Sequence, residues 1–89
     1  MNTDYTRTRE VRETILQLLD AAGDYAMSEP QLFDKVNKAL TPPVPRAEFD
    51  DAMNWLAAAK HFIRNIPDRL DDNLTRWLLT ELGRNELNR

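Results

Sequence analysis

Eighty-nine residues carrying a net charge of −3, 42% hydrophobic and 30% charged, make one small globular domain rather than a disordered chain. A chain this short buries only about 60–65% of its unfolded surface, which leaves one small core and little room for a deep active site. The absence of cysteine removes disulfides, thiolate metal sites and thiol catalysis together, and the negative balance weighs against a broad phosphate-binding footprint.

Residues 1–6 carry no periodic pattern and are expected to be loose. From Arg7 to Ala22 the apolar residues Val11, Ile15, Leu18, Leu19 and Ala22 recur at helical spacing. Arg9, Arg12, Glu13, Gln17 and Asp20 take the other face, and Leu16 lies off the main stripe. Gly23 is a natural stop. Asp24-Tyr25-Ala26-Met27 is long enough only for a brief strand. Ser28-Glu29-Pro30-Gln31 is a start signal: Ser28 caps, Pro30 suits the first turn, and Gln31 sits at capping-box distance.

A second helix over 28–40 follows, with Leu32, Phe33, Val36, Ala39 and Leu40 on one face. Thr41-Pro42-Pro43-Val44-Pro45 ends it, because proline lacks the amide donor and restricts its predecessor. The spacing predicts a third helix over 46–60 with Phe49, Ala52, Met53 and Leu56 buried. Its other face carries Ala47, Asp50, Asp51, Asn54 and Ala58, with Trp55 at the margin. Phe62 to Ile66 reads as a strand closed by Pro67. Residues 67–73 form a polar loop, and Thr75 to Leu79 a return strand. Thr80 is a sensible N-cap for a short last helix anchored by Leu82 and Leu87.

The expected core is Val11, Ile15, Leu18, Leu19, Leu32, Val36, Phe49, Met53, Leu56, Ile63, Trp77 and Leu79. The order is helix, short strand, helix, helix, strand, loop, strand, short helix. That order and the segment Trp77-Leu78-Leu79-Thr80-Glu81-Leu82-Gly83-Arg84 resemble stand-alone bacterial winged helix-turn-helix domains, including those of the MarR and PadR-type regulators. Trp77, Leu79, Thr80, Gly83 and Arg84 carry the likeness, which covers roughly residues 7–88. The resemblance implies an α+β, mostly helical winged helix-turn-helix: a three-helix core, a C-terminal β-hairpin wing over 62–79 and a short terminal helix.

The catalytic inventory is thin. Ser28 is the only serine and His61 the only histidine, so no nucleophile–base pair is laid out. One histidine without cysteine gives no zinc set. Asp50 and Asp51 are helix neighbours that point apart, and Asp71-Asp72-Asn73 is the composition of a polar turn. The expectation is a protein that is not an enzyme and uses no cofactor or metal.

Two binding readings follow. The resemblance implies a DNA-binding, transcription-regulator-like domain, whose candidate contacts are Lys35, Lys38, Arg46, Asn54, Lys60, Arg64, Arg69 and Arg76. Against it, the third helix holds two positive and three negative residues, Asp50 and Asp51 among them. The alternative is a protein-interaction or dimerisation module. Its candidate contacts are Trp55, Leu16 and Leu78, with Tyr5 and Tyr25 as further apolar surface; cover by the terminal helix is an equal alternative for Leu16 and Leu78. No apolar run reaches the ~18 residues of a membrane span, and Met1 to Tyr5 lacks an apolar leader core. A soluble cytoplasmic location without membrane contact is expected.

Overall fold

The computed structural model describes the backbone of residues 4–71 and 73–89, and the side chains of residues 6–71 and 73–89. Helix α1 spans Asp4–Ala22 and so begins earlier than the apolar pattern does. Gly23, at φ +65°, ends it with a left-handed residue, and its amide donates to the Asp20 carbonyl. Strand β1 is only Met27–Ser28. Helix α2 spans Glu29–Ala39; Ser28 caps it as expected, its hydroxyl accepting from the Gln31 amide at 3.3 Å. In the proline loop that follows, the Asn37 side chain accepts from the Val44 amide at 2.5 Å. That bond holds the loop while Val44 goes into the core, a burial the sequence pattern does not signal.

Helix α3 spans only Arg46–Asn54. The single helix expected over 46–60 instead widens into a π-turn at Trp55–Ala59. The Lys60 amide donates to the Trp55 carbonyl at 3.2 Å, and the Phe62 amide to the Leu56 carbonyl at 2.8 Å. Both reach further back than an α-helical bond. His61 then takes φ +58°, and the chain turns into the sheet.

Strands β2 (Ile63–Pro67) and β3 (Thr75–Leu79) form the expected hairpin. The sheet is antiparallel in the order β1-β3-β2, with Ile63 opposite Leu79, Asn65 opposite Trp77, and Met27 on the other side of Trp77. Helix α4 spans Glu81–Leu87. Among the described residues the class is α+β and mostly helical, with four α-helices and one three-stranded sheet.

One buried cluster joins α1, α2, α3 and the sheet. It contains Val11, Ile15, Leu19, Leu32, Val36, Phe49, Met53, Leu56, Ile63 and Leu79, as expected. The ring of Phe33 meets that of Phe49 edge-on at 4.9 Å. Three expectations are corrected. Leu18 and Trp77 are half-buried against this cluster rather than inside it. Leu16 is 5% exposed and belongs to the core, because α4 packs on α1 and widens its covered arc. Leu82 is exposed, so Gly83 and Leu87, not Leu82, seat α4.

The segment from Leu79 to Arg84 closes the domain. The Thr80 hydroxyl accepts from the Gly83 amide at 3.1 Å and donates to the His61 carbonyl at 2.6 Å. The Thr80 amide donates to the Phe62 carbonyl at 2.9 Å. Gly83 lies so near that carbonyl that a Cβ would stand 2.3 Å from its oxygen. Arg84 pairs with Asp20 of α1 at 3.4 Å. One short sequence thus ties the π-turn, the sheet and α1 together.

Candidate functional site

The outward face of α3 carries Arg46, Ala47, Asp50, Asp51 and Asn54, all exposed. Its single cation is already engaged. The Arg46 guanidinium pairs with Glu29 at the start of α2, and its Nε lies 3.0 Å from Asp50 Oδ1. It also sits 5.3 Å from the Phe33 ring and 5.5 Å from the Phe49 ring. Glu29 in turn accepts from the Trp77 indole at 3.2 Å. Trp77, Glu29, Arg46 and Asp50 therefore form a chain of contacts from β3 across the start of α2 to α3. Glu48 is turned toward α1, 3.6 Å from Arg7.

The remaining candidate cations are spread out. Lys35 and Lys38 are exposed on α2, and Lys38 lies 3.0 Å from Asp34 one turn back. Arg64 is exposed on β2, and Arg69 is exposed in the hairpin loop near Asp68 and Asp71. Arg76 is half-buried in the central strand, with its Nε shut off from solvent and donating to no acceptor among the described residues. Lys60 leans toward Trp55, 5.5 Å from its ring. None of these residues lies on α3 itself: they stand on α2, just past the π-turn, and on the hairpin.

Of the apolar candidates, Leu16 is removed from the surface and Leu78 is half-buried. Tyr25 is 84% exposed. The Tyr5 side chain and Asp72 lie outside the described residues. Leu70, which no sequence pattern singles out, is 95% exposed in the hairpin loop.

Trp55 is half-buried at the margin of a concavity of about 500 Å³ between α1, the π-turn and α4. Arg12 Cζ lies 3.7 Å from the Trp55 ring centroid, and the Phe62 ring meets Trp55 nearly edge-on at 6.3 Å. Burial pulls the Arg12 guanidinium below the usual arginine range. Sequence reasoning places Arg12 on a solvated face, since nothing local links it to a tryptophan in a distant helix.

Among the described residues no group of His, Cys, Asp or Glu is placed to hold a metal ion. None of their helices is long and apolar enough to cross a membrane. No protein-family model matches the chain, and no curated protein or solved structure matches it either.

Proposed function

We propose that the chain is a non-catalytic winged-helix module that docks on another protein through α3. Support for the winged-helix reading is the order of elements together with the strand order β1-β3-β2, which sets the hairpin beside the helical core. The observation that carries the docking reading is the outward surface of α3. Asp50 and Asp51 are exposed there, and Arg46 is held by Glu29 and Asp50. A helix laid in a major groove would bring both aspartates near phosphates and would have to detach Arg46 first. A partner with a basic surface meets no such cost.

The test is a labelled mixed-sequence duplex titrated with folded protein at low salt, alongside affinity capture with wild type and an Asp50→Lys/Asp51→Lys variant. The expected result is no saturable DNA binding, and partners captured by wild type but not by the variant. Saturable DNA binding that weakens steeply with salt would overturn the proposal.

A DNA-binding, regulator-like role is the second reading. It is favoured by Arg64 and Arg69, both exposed on the hairpin. In that case Arg64→Ala and Arg69→Ala would each reduce the salt slope by about one counterion.

A further inference from the structure

We propose that the protein on which α3 docks is a second copy of this chain, with Asp51 of one copy set against Arg64 on the hairpin of the other. The pairing rests on α3 being a docking surface.

Docking through α3 calls for a basic surface, and the chain carries one on its own sheet. Ile63 and Leu79 stand opposite each other and are both buried, which marks the hairpin face turned to the core. Side chains alternate along a strand, so Arg64, Ile66, Arg76 and Leu78 share the other face. Arg64 is exposed there and the other three are half-buried. Neither strand carries a carboxylate. Asp68, Asp71 and Asp72 all fall between the strands. Asp68 comes four residues after Arg64, roughly 13 Å along an extended chain, beyond the screening length of about 8 Å at physiological salt. Arg76 lies nearer the loop, opposite Ile66, so Arg64 is the stronger attractor.

Ala47, Asp50, Asp51 and Asn54 follow one another at three- and four-residue steps along the exposed side of α3. Asp50 is shared with Arg46. On the two faces, Asp51 and Arg64 are the exposed charges that form no ion pair among the described residues. They do not reach each other within one chain, but two copies bring them together, and a reciprocal contact forms the pair twice. Leu78, opposite Arg64, and Ile66 keep part of their surface in water. A protein seated over them removes that apolar area, which a phosphate backbone does not. One helix face on one two-stranded face is a small interface, so the expected affinity is weak, about 0.1 mM.

The full chain is followed by sedimentation velocity from about 10 µM to about 1 mM, in roughly 20 mM and roughly 500 mM salt. Asp51→Lys and Arg64→Glu are run alone and as an equimolar mixture. Wild type should self-associate in low salt and lose most of that association in high salt. Each variant alone sets like charges against each other and should associate roughly fivefold or more weakly. The mixture should recover wild-type strength to within about twofold, because the reversed charge of each copy then meets that of the other. Both positions are exposed, so each variant should melt within a few degrees of wild type. If a reversal unfolds the chain, Asp51→Asn and Arg64→Gln take its place, and each should weaken association about twofold or more. Wild type that stays monomeric up to about 1 mM in low salt would overturn the proposal. So would association that every variant retains, or that mixing folded charge-reversed chains does not restore. A monomeric wild type that still captures other proteins through Asp50 and Asp51 rules out the second copy and leaves the docking reading standing. Loss of both rules out both.

Discussion

Gly83 and Gly23 are the chain's two glycines and fill opposite requirements. Gly83 needs space: a Cβ there would sit 2.3 Å from the Phe62 carbonyl oxygen and 2.7 Å from the Leu79 side chain. The oxygen cannot swing aside freely, because it accepts from the Thr80 amide. Gly83→Ala gains helix propensity but forces this packed junction apart. The expected net loss is about 2 kcal/mol by urea unfolding. Gly23 needs conformation instead. Nothing lies within 4 Å of its would-be Cβ, but φ is +65°. Gly23→Ala should cost about 1 kcal/mol through backbone strain alone. A larger loss at Gly23 than at Gly83 would contradict this account. Thr80 acts through its hydroxyl, which caps α4 and donates to the His61 carbonyl. Thr80→Ala should destabilise by about 1–2 kcal/mol, and Thr80→Ser, which retains the hydroxyl, by clearly less in the same urea series.

The least expected element is the π-turn. Ala57-Ala58-Ala59 is as strong a helix-forming run as the chain contains, so local propensity continues α3 to Lys60. Tertiary contacts override it: Phe62 must reach Thr80 and Gly83, and Trp55 must reach Arg12. Widening the last turn and placing His61 at φ +58° accomplishes both. Histidine tolerates that conformation better than most residues, yet glycine suits it best. His61→Gly should stabilise by roughly 0.5–1 kcal/mol, and His61→Val should destabilise by about 1–2 kcal/mol, in thermal unfolding. Equal stability of all three proteins would argue that the turn relaxes. The elements legible in the sequence are those whose cause is local. Ser28 and Thr80 cap the helices they precede, the stripe of Val11, Ile15 and Leu19 is buried, and the two β-rich runs around the polar loop pair. What was not legible depends on distant partners. Val44 is held by Asn37, and Trp77 stays half-buried with its indole donating to Glu29. The same holds for the Arg12–Trp55 concavity, whose two central residues are brought together only by the packed fold.

At the scale of the whole molecule, the distribution of charge governs what α3 can approach. The net charge of −3 is not spread evenly, since Asp50 and Asp51 stand on the one outward helix face that a groove-binding domain would use. Replacing them with asparagine keeps size and polarity and removes two negative charges. Asp50→Asn also frees the Arg46 Nε from its 3.0 Å pair, leaving Glu29 as its remaining carboxylate. The double variant therefore presents a face without its two aspartates, its one cation still held by Glu29. If the acidic surface is what keeps this domain off DNA, the variant should acquire weak, sequence-independent duplex binding at low salt. That binding should show a shallow salt slope of about one or two phosphate contacts. Exposed pairs contribute at most about 1 kcal/mol, so melting of the variant should change by only a few degrees, and the comparison remains one of folded proteins. A variant that stays folded yet gains no DNA affinity would mean that shape, not charge, bars the groove. The docking surface would then be sought on the hairpin, where Leu70 stands exposed between Arg69 and Asp71.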